Sequence, residues 1–264
     1  MHPDCIVSVI TINRNTGSSV NQTIQSLHSQ DCEFEWVVID GGSTDHSVDL
    51  LKSSIRPNDQ FISEPDSGIS DAFNKGIRLA RGKTLLFLNA GDSFHRTDAL
   101  SILISHWDNG NRPWVTGGAA VLSAEGKLLF VRTPCEKARN IPSSFRTGCF
   151  IWHAATLIDR RLFHECGVYD TSFRLSMDYE LWLRFLKFGY MPRPINDCIS
   201  NFALGGMSSN LKKRRLEDKR ARQLNNLSNS PLTEFALYCV FLAKTLAMPL
   251  RSPWMYRLKE RLGL

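Results

Sequence analysis

Four short apolar runs, each ending on small or polar residues, constrain this chain more than any other feature. They read IVSVITI (Ile6–Ile12), FEWVVID (Phe34–Asp40), QFISE (Gln60–Glu64) and LLFLN (Leu85–Asn89). Helical patterns separate them, over Ser19–Ser29, after Gly41-Gly42-Ser43, and over Ile69–Ala80. In the second of these, Ser43 or Thr44 is the expected N-cap and Val48, Leu50 and Leu51 face inward. Strands that are apolar almost throughout, alternating with helices, predict a parallel sheet covered on both faces. Such sheets bind ligands at the carboxyl ends of their strands. Three polar clusters fall there, Thr11–Asn15, Asp40–Asp45 and Asn89–Asp92. One pocket would collect all three.

The later sequence is less regular. WVTGGAAVLS and KLLFVRT predict a hairpin around Ala124-Glu125-Gly126, CFIWHAATLI a buried strand, and Arg160–Cys166 a short helix. MDYELWLRFLKFG is amphipathic, with Gly189 at its C-terminal end. With 264 residues, 42% of them hydrophobic, the chain suits one large domain or a domain with an appendage. Seven scattered cysteines without a CxxC pair suit reduced core thiols and an intracellular setting. The opening MHPDCIVSVITI lacks the basic region and cleavage site of a signal peptide and reads as a first strand.

Charge is divided unevenly. From Leu211 onward 12 Lys/Arg face 4 acids, which puts +8 in the tail and leaves −2 in residues 1–210 out of a net +6. A basic segment confined to the tail argues against a nucleic-acid-binding core. Residues 211–264 therefore read as a separate extension. LKKRRLEDKRAR is a basic helix, and PLTEFALYCVFLAKTLAMPL is apolar but interrupted by Glu234 and Lys244. Its length approaches the roughly 20 residues that span a bilayer. With Trp254, Tyr256 and further cations it suits an anionic membrane surface, or else a helical layer packed on the domain or on a twin subunit.

The run ISEPDSGISDAFNKGIRLARGKTLLFLNAGD, with VSVITINRN before it and SMDYELWLRF after it, resembles the family 2 inverting glycosyltransferases of GT-A fold. Nearer relatives are the exopolysaccharide (colanic-acid) and O-antigen transferases, which share SEPDxGIxDAxNKGI, FLNxGD and a late GGxS. The resemblance covers about residues 5 to 210.

It implies an α/β fold with a mostly parallel, Rossmann-like sheet and helices on both faces, followed by a helical C-terminal extension. It also implies a site for a nucleotide-diphosphate sugar, a UDP-sugar in the first instance. Asp40 would accept the imide N–H of the base, although the family's DDGS reads DGGS here and Gly41 replaces the second acid. Thr11 would lie beside the base and Arg14 would stack on it. Asp66, Gly68, Asn74 and Lys75 would contact the donor, Gly68 by close backbone approach. The family's DxDD reads Asn89-Ala90-Gly91-Asp92, which leaves Asp92 as the metal ligand. Mg²⁺ and Mn²⁺ need only one or two protein carboxylates when phosphates and waters complete the shell. Gly91 and Asn89 would approach diphosphate and sugar.

Asp178 would be the base that deprotonates the acceptor hydroxyl, with His153, Trp182 and Arg184 toward the acceptor or diphosphate. Plainer readings stand beside these: Asp40 or Asp92 as a turn residue, Lys75 on a solvated helix face, Asp178 as a helix-start charge, His153 at a strand end, Trp182 in the core. The acceptor would be a lipid-linked glycan, reached from the cytoplasmic face of a bacterial-type membrane. Homo-oligomerisation is left open. A degenerate GT-A scaffold and a nucleotidyltransferase are the rival classes; the losses at Gly41, Asn89, Gly91 and Met177 motivate the first.

Overall fold

The computed structural model describes residues 6–108, 112–123, 126–134, 141–203 and 211–247. Strands β1 (Val7–Asn13), β2 (Glu35–Asp40), β3 (Gln60–Ser63) and β4 (Thr84–Phe87) lie in the order β3-β2-β1-β4, all parallel. Helices α1 (Val20–His28), α2 (Ser47–Ser54) and α3 (Ile69–Leu79) alternate with them. Successive strand residues point to opposite faces. Val7, Val9, Trp36 and Val38 thus join Val20, Ile24 and Leu27 of α1 in one core. Ile10 turns the other way onto α3, where a Cβ at Gly76 would come within 2.4 Å of it.

The sheet is not parallel beyond β4. Next along the chain come β5 (Ser93–Phe94), α4 (Ala99–His106), β6 (Trp114–Leu122), β7 (Leu128–Arg132), α5 (Ile141–Thr147), β8 (Thr156–Asp159), α6 (Arg161–Glu165), α7 (Met177–Lys187) and β9 (Arg193–Ala203). The strand order runs on as β4-β8-β6-β9-β5, with β7 on β6. β8 is antiparallel to both β4 and β6, while β9 is parallel to β6 and antiparallel to β5. The expected hairpin is β6 with β7. Gly189 follows α7 with φ +89, the left-handed geometry of a helix stop.

Two local expectations are corrected. α2 begins at Ser47, beyond Ser43 and Thr44. The Ser43 hydroxyl is taken up by Asp40 (2.5 Å) and by the Asn15 N–H (2.8 Å), so it cannot cap a helix. CFIWHAATLI is not one strand: His153–Ala155 is a 3-10 turn and β8 starts only at Thr156. The described cysteines are free thiols, but Cys239 is exposed and not in a core.

The chain divides into two units, Met1–Asn226 and Leu227–Leu264. Helix α8 (Leu211–Leu224) belongs to the first, so that unit runs past the change of sequence character at Leu211. The second unit contains α9 (Pro231–Ala247), on which Leu232, Phe235 and Tyr238 are exposed. Among the described residues no helix is long and apolar enough to cross a membrane. Cys5, Cys135, the late Gly205-Gly206-x-Ser208, Trp254 and Tyr256 lie outside the described residues.

Candidate active site

The parallel strands end side by side, Asn13 opposite Asp40 and Asp40 opposite Ser63. At this edge Asp40 is fully buried and its oxygens are engaged by the protein. Oδ1 accepts from Asn13 Nδ2 (2.8 Å) and the Ser43 hydroxyl (2.5 Å); Oδ2 accepts from the Ser63 hydroxyl (2.6 Å) and Ser43 N–H (3.0 Å). Burial alone would raise its pKa, but these donors hold the carboxyl below its ordinary value. Asp40 therefore ties three strand ends together and does not present a free acceptor to a base. Thr11 is also fully buried, accepting from Trp36 Nε1 at 2.9 Å. Neither fits the base-reading role expected of it.

Beside them Arg14 stays 65% exposed, 4.0 Å from Asp66. A Cβ at Gly41 would fall 2.2 Å from Asp66 Oδ2, so the carboxylate of Asp66 occupies the space that the missing side chain leaves. Asp66 also accepts the Gly68 N–H at 2.9 Å. Gly68 has φ +132, and a Cβ there would meet the guanidinium of Arg174, which donates to Ser67 O. Lys75 is not solvated; it pairs with Glu64 and donates to Pro65 O, both at 2.8 Å, bracing the same loop.

Asp92 lies one strand over, past β4. The Thr23 hydroxyl holds this loop, accepting from Gly91 N–H at 2.9 Å and donating to Asp92 O at 2.6 Å. Gly91 has φ +99, which suits glycine. The Asp92 carboxylate is 8% exposed and receives no hydrogen bond among the described residues. Burial pushes its pKa up to about 6, against a smaller opposing pull from His153. A buried carboxylate without a donor is costly unless a cation meets it.

His153 links this loop to α7. Nε2 is 3.1 Å from Asn89 Nδ2 and Nδ1 is 2.9 Å from Asp178 Oδ2. Burial disfavours the imidazolium, but Asp178 and then Asp92 outweigh it, and the imidazole pKa is raised. Asn89 Oδ1 and Asp178 Oδ1 are buried without partners. Among the described residues no three His, Cys, Asp or Glu cluster as a ready metal cage. Asp92 could thus hold a hard divalent cation only if phosphate and water supplied the remaining ligands.

Three expected residues have their side chains taken up by the protein. Trp182 is fully buried, stacked on Trp114 with centroids 5.1 Å apart. Arg184 pairs with Glu180 and donates to Cys166 O and Val168 O, each at 2.9 Å. Asn74 spends its amide on Tyr169, donating to O (2.9 Å) and accepting from N (3.0 Å). All three hold the scaffold. Sequence reading missed Tyr169, Arg174 and Glu217. Glu217 of α8 accepts the N–H groups of Arg174, Leu175 and Ser176, just before Asp178. An acid pair inside LKKRRLEDKRAR was its one visible signal.

Residues 8–167 match the domain described as Glycosyl transferase family 2. The chain belongs to that family. It is 26% identical over 221 residues to a PGL/p-HBAD biosynthesis glycosyltransferase of Mycobacterium tuberculosis (strain ATCC 25618 / H37Rv), covering 77% of this chain and 79% of that one. It is 24% identical over 216 residues to a glycosyltransferase ascribed to teichuronic acid biosynthesis in Bacillus subtilis (strain 168), covering 78% and 82%. Among solved structures it resembles S. aureus TarS 1–349 in complex with UDP-GlcNAc (TM-score 0.66, 14% identity, 92% and 73% covered). A mannosyltransferase from Pyrobaculum calidifontis with GDP-Man and Mn²⁺ has TM-score 0.62 at 16% identity, covering 100% and 81%. At such identities the likeness is one of fold, and the fold of this family 2 glycosyltransferase is GT-A.

Proposed function

We propose that this glycosyltransferase moves a sugar from a nucleotide-diphosphate donor, UDP-linked in the first instance, to a hydroxyl of a lipid-linked glycan, inverting the anomeric carbon. The product would be an exopolysaccharide or O-antigen, made at the cytoplasmic face of a bacterial membrane. One observation carries the reading: His153 joins the Asn89–Asp92 loop to Asp178 at the carboxyl ends of the parallel strands. A leaving diphosphate at one end and an acceptor hydroxyl at the other is the separation an in-line displacement requires. The relatives' parts in PGL/p-HBAD and teichuronic acid biosynthesis support the substrate class.

Asp92 would hold Mg²⁺ or Mn²⁺, which when bound offsets charge on the departing diphosphate. Asp178 takes the proton from the acceptor hydroxyl as that oxygen attacks C1. His153, donating from Nδ1, keeps the carboxylate aimed. Arg14 and Asp66 would meet base and ribose. Arg174, which makes no ion pair among the described residues, brings a cation to the Ser67–Gly68 loop. The exposed Leu232, Phe235 and Tyr238, with the tail's +8, support attachment to an anionic membrane surface.

Calorimetry with UDP, GDP, dTDP and CDP, each with and without Mn²⁺, tests the reading on wild type and Asp92→Ala. One diphosphate should bind only with metal, and Asp92→Ala should abolish that binding. Binding indifferent to both metal and mutation would return Asp92 to a turn residue. No binding by folded protein would favour a degenerate scaffold.

A further inference from the structure

Asp178 is held at only one of its two oxygens. Oδ2 meets His153 Nδ1, whereas Oδ1 is buried without a partner. The Tyr169 hydroxyl is likewise buried and unpartnered, and buried polar atoms left unpaired are unusual and costly. Both belong to one packed cluster. The Tyr169 ring centroid is 5.1 Å from Phe73, and Phe73 is 6.0 Å from His153. Burial, then the Asp178 charge and hydrogen bonding toward Asp178, push the phenol well above its ordinary range; the two groups face each other, although no bond of ordinary geometry joins them.

Tyr169 is also fixed in place. Its N–H and C=O both bond the Asn74 amide, and its ring packs on Phe73 and Phe87. Asn74 lies in the FNKG segment yet touches the backbone of a residue 95 positions away. The amide builds a seat for a tyrosine that interacts with Asp178, a use of Asn74 that its motif does not announce.

We propose that Tyr169 is a positioning residue for Asp178, donating from its hydroxyl to Oδ1 while His153 holds Oδ2. Each carboxylate oxygen then keeps a lone pair for the acceptor proton, and the carboxylate plane is fixed from two sides. The inference rests on reading Asp178 as the base. Besides Tyr169, the titratable groups facing Asp178 are His153 and the half-buried Cys149 thiol, whose pKa is pushed up to about 12 by desolvation. Glu217 and Asp218 of α8 bond Ser176 at the start of α7, the helix that carries Asp178.

Tyr169→Phe tests it with the ring retained. In the ligand-free protein the His153 imidazole is titrated by NMR, assigned with His153→Gln. Deleting the hydroxyl leaves the Asp178 charge less shared, so the His153 midpoint should rise by roughly half a unit. Asn74→Ala, which frees the Tyr169 backbone, should shift it the same way. A midpoint unchanged in folded Tyr169→Phe would overturn the proposal, as would a fall. Asp178→Asn separates the two readings: if it abolishes transfer while Tyr169→Phe leaves the midpoint alone, only the positioning role is lost. If Asp178→Asn transfers sugar like wild type, the base assignment fails.

Discussion

The Nδ1 of His153 lies 2.9 Å from Oδ2 of Asp178, and this contact connects two elements that the sequence separates by 25 positions. The contact has a pH signature. The folded imidazole pKa is raised, because Asp178 and Asp92 outweigh burial. A raised value means that the interaction stabilises fully below the unfolded pKa and fades as pH climbs through the folded one. His153→Gln should therefore lose more stability relative to wild type at pH 6 than at pH 9. Thermal melts across that range read the narrowing gap; a constant gap would mean that the imidazolium adds nothing.

Asp92 shows the opposite economy, a charge kept where it destabilises. Its carboxyl moves from 3.8 to about 6 on folding. Relative stability is thus greatest below the unfolded value and falls as pH rises through about 6. Asp92→Asn should stabilise the metal-free protein at pH 7 by up to about 3 kcal/mol, at about 1.4 kcal/mol per pKa unit. The gain should disappear near pH 4. Because protons compete with cations for a carboxylate, Mn²⁺-dependent nucleotide binding by wild type should weaken as pH drops through about 6. Calorimetry at pH 5, 6 and 7 measures it.

What the sequence disclosed follows from how far each signal reaches. Periodicity is local, so β1, β2, β4, α1, α3 and α7 were legible as elements, and the loop of Asp92 stood out at a strand end. The antiparallel placement of β8 was not, because strand direction is set by tertiary contacts between β4 and β6. Residue type gave Asp40 as a pocket acid, yet Asn13, Ser43 and Ser63 consume its oxygens. Two of those three donors come from other strands or their ends, which no local pattern records. Trp182 and Arg184 shared a motif with Asp178 on α7, but Trp182, one turn further on, is stacked in the core on Trp114 and Arg184 turns to another face of the helix.

Trp182 supplies a contrast to the site. It is stacked on Trp114 at an interplanar angle of 18° with both rings fully buried. Trp182→Ala should cost about 3–5 kcal/mol of stability, the usual range for emptying an aromatic core position. Trp182→Phe should cost less and leave KM for donor and acceptor unchanged. A rise in acceptor KM in folded Trp182→Phe would restore this residue to the acceptor side.

Truncation separates the two parts that a basic, apolar tail runs together. Glu217 accepts three backbone N–H groups before Asp178, and Asp218 accepts the Ser176 hydroxyl at 2.6 Å. Ser176 is the N-cap of α7, so α8 sets the entry of the helix that carries the proposed base. A chain ending at Asn226 should fold, bind nucleotide as the full chain does, and no longer sediment with anionic vesicles. A chain ending at residue 210 should lose both melting temperature and transfer, since three donors at a helix start would be left open. Glu217→Gln in the full chain should reproduce part of that loss, because an amide presents an N–H₂ where the carboxylate accepted, yet it should leave vesicle binding intact. If the chain ending at Asn226 still sedimented with vesicles, the membrane contact would belong to the catalytic unit and not to the segment beyond it.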